Sequence, residues 1–256
     1  MRGIVLCWML GMILLDGAFA FGQQGALKKG YYPDGKVRYE GYFEGDEPVG
    51  KMTRYYPDGR IQAELFHQGD KTEAVLYSKH GEYVSAGCYQ NRLKEGEWHY
   101  KKGERVIATE TYKENKLDGV SRKYFTSGKI AEERNWKQGF PEGVWKVYYP
   151  DGGLRIEAGY VDGKLDGKMQ GYYPDGSVMA KGMYRNNLKE GVWYYYGRDG
   201  ELKKTKTFRG GIAEDQQEED IEESRKLDKW IDEGKKIVDP VHFIDDPEMY
   251  LKAAGD

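Results

Sequence analysis

The stretch YYPDG at Tyr148–Gly152 occurs three more times, at Tyr31–Gly35, Tyr55–Gly59 and Tyr172–Gly176. Looser copies read YSKHG (Tyr77–Gly81), HYKKG (His99–Gly103), YFTSG (Tyr124–Gly128) and YGRDG (Tyr196–Gly200). The closing glycines of these eight stretches lie 22 to 25 residues apart. Self-similarity at such a period marks a repeat architecture. A second signal interleaves with the first, in NRLKEG (Asn91–Gly96), NKLDG (Asn115–Gly119), QGFPEG (Gln138–Gly143), DGKLDG (Asp162–Gly167) and NNLKEG (Asn186–Gly191). Each unit therefore holds two turns and two extended segments. The unit around Lys71–Glu73 lacks the second glycine, and the unit ending at Gly103 has a shortened first strand. The pattern is expected to be irregular at both.

Each residue of PDG has a local task. Proline presets φ for a type I turn, aspartate tolerates the next position, and glycine takes the left-handed conformation that follows. The product is a three-residue hairpin loop with a bulge. The turn residues are thus Asp34, Asp58, Asp151 and Asp175 with Gly35, Gly59, Gly128, Gly152, Gly176 and Gly200. The flanking segments alternate. Leu154, Ile156, Ala158 and Tyr160 fall on one face, with Arg155, Glu157 and Gly159 on the other. That is the period of a β-strand.

With Tyr148 across from Leu154 and Tyr149 across from Arg155, the alternation sorts the aromatic residues. One face carries the first Tyr of each pair and the column Phe43, Tyr89, Tyr112, Trp136, Tyr160, Tyr184 and Phe208. The opposite face carries Trp98, Trp145 and Trp193, with Met52 and Met169 in equivalent places, and the second Tyr of each pair, including Tyr56, Tyr149 and Tyr173. The predicted fold is all-β: an elongated open antiparallel meander of about eight hairpins, closed by a short C-terminal helical segment. Sixteen strands at ~4.8 Å spacing make a ribbon ~70–80 Å long. The composition agrees: only 39% of residues are hydrophobic, yet 22 are Tyr and 6 are Trp. Such a chain suits a thin sheet held by cross-strand aromatic pairs, not a thick core.

The clearest units, Gly143–Gly167 and Gly167–Gly191, resemble the bacterial variant of the MORN repeat. The likeness runs from about Gly30 to Gly211. The tyrosine–glycine pattern is also similar to RHS/YD and cell-wall-binding repeats, but the 24-residue double-turn period favours MORN. The resemblance implies a largely single-layer sheet of hairpins that binds or scaffolds a partner. Some bacterial relatives carry an antitoxin label. The resemblance implies no catalytic residue.

Arg2, the apolar run Gly3–Leu15 and the small residues of Ala18–Ala20 have the layout of a secretory signal peptide at 1–20. The run is shorter than the ~20 residues a membrane span needs. The expected location is therefore periplasmic, cell-surface or secreted. The remaining cysteine, Cys88, has no partner for an intrachain disulfide and is expected to pack in its strand. The array spans 21–212, and an acidic helical cap or tail spans 213–256. The tail holds 15 acidic and 6 basic residues, against 27 and 33 in the array. It either covers the last strand with Ile221, Leu227, Trp230 and Ile231 or lies over the basic sheet and competes with an anionic partner.

No catalytic or metal-binding spacing is present. His67, His80, His99 and His242 share no ligand pattern, and the aspartates of the repeats read as turn residues rather than calcium ligands. Glu132 and Glu133 are neighbours on a strand, so they point to opposite faces. No cofactor is expected, and a basic excess spread over eight units argues against nucleic acid. The expected function is a non-enzymatic scaffold. It presents Trp98, Trp145, Trp193, Tyr56, Tyr149 and Tyr173 to a protein partner, with an envelope-glycan-binding module or an antitoxin-like neutraliser of a partner protein as the alternatives.

Overall fold

The computed structural model describes residues 25–214, 227–229 and 231–232. The expected signal peptide and most of the acidic tail lie outside the described residues. The described chain is almost entirely antiparallel β, with one short helical stretch. Its strands fall into two compact units that divide between Lys116 and Leu117.

The first unit contains β1 (Ala26–Tyr31), β2 (Val37–Glu44), β3 (Glu47–Tyr55), β4 (Ile61–Gln68), β5 (Lys71–Tyr77), β6 (Tyr83–Gln90), β7 (Leu93–Lys102) and β8 (Arg105–Lys113). The two-residue β9 (Lys116–Leu117) falls at the division. The second unit contains β10 (Gly119–Tyr124), β11 (Ile130–Lys137), β12 (Phe140–Tyr148), β13 (Leu154–Val161), β14 (Lys164–Tyr172), β15 (Val178–Arg185), β16 (Leu188–Tyr196), β17 (Leu202–Arg209) and β18 (Ile212–Ala213). Within each unit consecutive strands are hydrogen-bonded neighbours, as an open meander requires.

Two kinds of turn alternate along the chain. At the first kind, Gly35, Gly59, Gly128, Gly152, Gly176 and Gly200 take φ between +77° and +95°. The Gly152 N–H donates to Tyr149 O at 2.8 Å, and Tyr149 N–H donates to Gly153 O at 2.7 Å. Tyr148 faces Leu154 as expected, but Tyr149 faces Gly153 rather than Arg155. Asp151 Oδ1 accepts the Gly153 N–H at 2.9 Å, and Asp34, Asp58 and Asp175 accept from the residue two ahead in the same way. The second kind is a two-residue turn, with positive φ at both positions in cases such as Asp162–Gly163 and Asn186–Asn187, and at the glycine alone in Gly45–Asp46 and Gly69–Asp70. That pattern matches the right-handed twist of the strands it joins.

A second bulge overturns the expected sorting of faces. Tyr148 pairs with Leu154, but Val147 pairs with Ile156, so Arg155 is an extra residue. Met179 and Lys203 are extra at the equivalent points in β15 and β17. One inserted residue sends every later side chain to the other face. Ile156, Ala158 and Tyr160 therefore join Trp145 instead of opposing it. The column Tyr160, Tyr184 and Phe208 shares one buried cluster with Trp145 and Trp193. This crowded face is called the inner face below.

The pattern departs from the other units at both expected places, but not in the expected way: the β4–β5 pairing is uninterrupted, and β7, before Gly103, spans ten residues rather than being shortened. Elsewhere the second glycine accompanies a register shift, as in β13–β14 and β15–β16. Without it, β4 and β5 pair without interruption from Ala63–Leu76 to Gln68–Lys71. At Gly103 the turn tightens, with Lys102 directly opposite Arg105.

Candidate partner-binding face

The inner face belongs to the fold. Trp98, Trp145 and Trp193 are each 0% exposed. No part of these indoles can reach a partner, which corrects their assignment as binding residues. For Trp145 and Trp193 the cause is the bulge, which brings Tyr160 and Tyr184 edge-on to them, whereas Tyr89 reaches Trp98 from β6, whose pairing with β5 has no bulge. Ring centroids lie 5.0 Å apart for Tyr89–Trp98, 5.9 Å for Trp145–Tyr160 and 5.2 Å for Tyr184–Trp193. Glycine on the neighbouring strand makes the room: a Cβ on Gly87 or Gly182 would sit 2.3 Å from Trp98 or Trp193. Each indole N–H is satisfied internally, by Cys88 O, Met183 O and Glu132 Oε1 respectively for Trp98, Trp193 and Trp145. Cys88 itself is buried, as expected.

Tyr56, Tyr149 and Tyr173 are half-buried and also serve the repeat. Their hydroxyls donate to Tyr77 O at 2.8 Å, Tyr172 O at 2.7 Å and Tyr196 O at 2.9 Å. Each bond reaches a backbone carbonyl in the next unit. The first Tyr of a pair reaches backwards: Tyr55 donates to Glu40 and Tyr77 to Glu64. Burial, then the bond to Glu64, push the Tyr77 phenol up to about 12.

The acid before the second glycine is another tie between units, one the sequence did not reveal. Glu142 Oε2 accepts the Asp162 N–H at 2.9 Å, Asp166 Oδ2 the Asn186 N–H at 3.1 Å, and Glu190 Oε2 the Gly210 N–H at 2.8 Å. A buried charged group closes the first end of the inner face in the second unit. Glu132 Oε1 takes the Trp145 N–H at 2.9 Å and lies 2.5 Å from Arg134 Nη2, while Lys123 Nζ is 3.2 Å from Oε2. All of its members face the interior of the array.

Helical residues 227–229 and 231–232 cover part of the same face. Leu227 and Ile231, one turn apart, are buried in the aromatic cluster. They lie on the sheet's face rather than its edge: a Cβ on Gly171 would sit 3.3 Å from Leu227 Cδ1. Asp228 reaches the buried Lys189 ammonium at 2.9 Å. Trp230 and Ile221 lie outside the described residues.

The surface open to a partner in the second unit is the outer face. Its central row is a cross-strand ladder of Arg122, Glu133, Lys146, Glu157, Gln170, Lys181 and Tyr194. Beside it stand Val144, Met183 and Val192, all exposed. Along the edge formed by the two-residue turns, Phe140, Val161, Leu188 and Ile212 are 49–68% exposed. Singly exposed apolar residues are ordinary, but a contiguous set is the mark of an interaction surface. Nothing in the sequence singles out this set, because its members are mostly aliphatic and share no motif.

Five stretches, 26–44, 48–68, 117–138, 141–162 and 165–186, match the MORN repeat variant. No curated protein matches the chain. Among solved structures, the chain is similar over 48% of its length to an S. aureus TarM mutant in complex with fondaparinux, alpha-GlcNAc-glycerol and UDP, at 10% identity. That match spans 20% of the TarM chain with a TM-score of 0.23, too low to support any likeness of fold or function.

Proposed function

We propose that this chain of MORN-variant repeats is a non-enzymatic, exported scaffold that binds a protein partner through the outer face of its second unit. The observation that carries the reading is the division between faces. Alternate residues of the same strands are either wholly enclosed, as Trp145 and Trp193 are, or open and apolar, as Val144 and Val192 are. A repeat that already holds itself together through its inner face has no structural need for exposed apolar side chains opposite. Every tyrosine nominated from sequence is engaged in joining units, which moves the binding role to the aliphatic residues. Export rests on the layout of Met1–Ala20.

A photo-crosslinking residue at Val192 tests the face. It should form partner adducts in envelope extracts that one at the inner-face Leu76 does not, and Met183→Glu should abolish them. Adducts from Leu76 alone would reject the outer face. Adducts to polysaccharide rather than protein would favour the glycan alternative. Mass spectrometry of the mature N-terminus should begin near Phe21, and an intact Met1 would reject export.

A further inference from the structure

The first and last strands of the array are the two parts of one repeat junction. Inside the array, the strand that follows a two-residue turn is nine residues long, as β16 is from Leu188 to Tyr196. After the turn at Gly210 and Gly211, β18 and Glu214 fill the first three of those nine positions. Arg209 faces Ile212, Phe208 faces Ala213, and Glu214 N–H donates to Thr207 O at 2.9 Å. Among the described residues no strand pairs with Leu202–Lys206 on that side of β17. The six residues of β1, Ala26–Tyr31, run into their YYPDG turn as Gly191–Tyr196 run into YGRDG. Among the described residues every paired position of β1 faces β2. Three positions at one end and six at the other thus make one whole strand. In β15–β16, Tyr195 faces Ala180 and Tyr194 faces Lys181. In the same register, Gly30 of a second copy would face Lys204, and its Lys29 would face Thr205.

The backbone fits, but the side chains oppose the fit. Inside the array the next position is a close seat: Trp193 lies over Gly182 and Trp98 over Gly87, where an added Cβ would be 2.3 Å from the indole. At the junction Lys28 stands in the place of Trp193, and Lys206 in the place of Gly182. Both are on the inner face, because Lys28 faces Gly41 beside Met52 and Lys206 faces Trp193. Neither strand contains an acid, while β1 holds Lys28 and Lys29 and β17 holds Lys203, Lys204 and Lys206. The neighbouring acids do not alter the opposition. Asp46, 3.5 Å from Lys28, and Glu40, 3.0 Å from Lys29, lie in β2 and its turn, on the side of β1 away from its open edge. Asp199 and Glu201 hold Lys203 from the turn before β17. Like charges directly opposite each other weaken strand pairing, and lysine on an edge strand is a common guard against it.

We infer that β1 and β17 are matched strand edges for a second copy of this chain, and that Lys28 and Lys206 hold the copies apart. The contact is heterologous, because it joins the first strand of one copy to the last full strand of another. Each addition leaves a further open edge, so release of the block yields growing chains rather than closed dimers. The lysine pair keeps the repeat array at its encoded length.

Sedimentation velocity on the full chain at low salt tests this, with electron microscopy to show the form of any assembly. The unaltered chain should sediment as single copies. Lys28→Glu sets a carboxylate against Lys206 of the next copy, and Lys206→Glu sets one against Lys28. Each single variant should form chains whose average mass rises about twofold or more with concentration. Added salt should shorten them. Lys28→Glu with Lys206→Glu restores like charges at the contact and should return to single copies. Thr207 O points to the open side, so Thr205 N–H does too, two residues away along the strand. Lys28→Glu with Thr205→Pro therefore removes an outward donor that an edge strand can spare, and should also stay single. That pair keeps the test decisive if Lys206→Glu folds poorly, because Lys28 is exposed. Chains formed by the unaltered protein overturn the block. Single copies from Lys28→Glu overturn the fit. Closed dimers, or chains that ignore Thr205→Pro, place the contact elsewhere and overturn the inference.

Discussion

The same tetrapeptide, Leu-Lys-Glu-Gly, stands at Leu93–Gly96 in the first unit and Leu188–Gly191 in the second. Both lysines are buried, and both place their ammonium over the tryptophan that follows four residues later. Lys94 Nζ lies 4.4 Å from the Trp98 ring centroid, and Lys189 Nζ lies 5.0 Å from that of Trp193. They differ in what else meets the charge. Lys94 donates to Tyr100 OH at 3.1 Å and sits 4.7 Å from the Tyr112 ring. Lys189 faces Phe208 in place of Tyr112, and its carboxylate partner, Asp228, comes from the helical residues beyond the array. The local sequence thus seats the cation, and distant sequence completes its shell. Burying a charge is costly unless both are done.

Several substitutions would break or sharpen this comparison. The largest effect should come from Trp98→Ala or Trp193→Ala, each costing about 3–5 kcal/mol in urea unfolding. Equal losses would show that the two seats are equivalent without their outer partners. Leu227→Ala should cost about 2–4 kcal/mol. Its loss of hydrogen-exchange protection should be confined to β13–β16, leaving β6–β8 as before. A uniform loss would mean that the helical stretch supports the whole chain. Asp228→Ala should cost about 1–3 kcal/mol, because it removes a charged partner from a buried ammonium. No change would mean that water replaces it. The smallest effect belongs to Tyr77. Its folded phenol ionises near pH 12, above the ordinary value of 10.0, so it favours the folded state below pH 10. That contribution disappears as pH rises from 10 to 12, and Tyr77→Phe should flatten the alkaline loss of stability. Absorbance titration of the phenols checks the ionisation directly.

The hairpin array was legible in sequence because its turns are written in residues whose backbone needs are specific. PDG fixes its loop, and the missing glycine near Lys71 marks a real departure from the other units, although the pairing there is uninterrupted rather than irregular. The sorting of faces failed for a definite reason. Arg155, Met179 and Lys203 have no shared side-chain chemistry, so nothing at those positions announces a bulge. A single unseen residue then reversed the apparent accessibility of Trp145 and Trp193. One signal could have exposed the error: Gly87 and Gly182 in strand interiors, where glycine marks a close approach by another group. The acceptor role of the acids before the second glycine was not legible, because it depends on an N–H about twenty residues away.

The tyrosine bonds that run from one unit to the next have a genealogical consequence. Tyr149 reaches Tyr172 and Tyr173 reaches Tyr196, the same stride of 23 each time. Duplicating or excising the stretch Gly153–Gly176 would rejoin Asp-Gly to a small residue and leave each surviving phenol with a carbonyl to meet. A cut one residue shorter would invert the pleat downstream and turn the greasy side outward. Inheritance can therefore lengthen or trim this protein in whole steps, and selection need only choose how many rungs to keep.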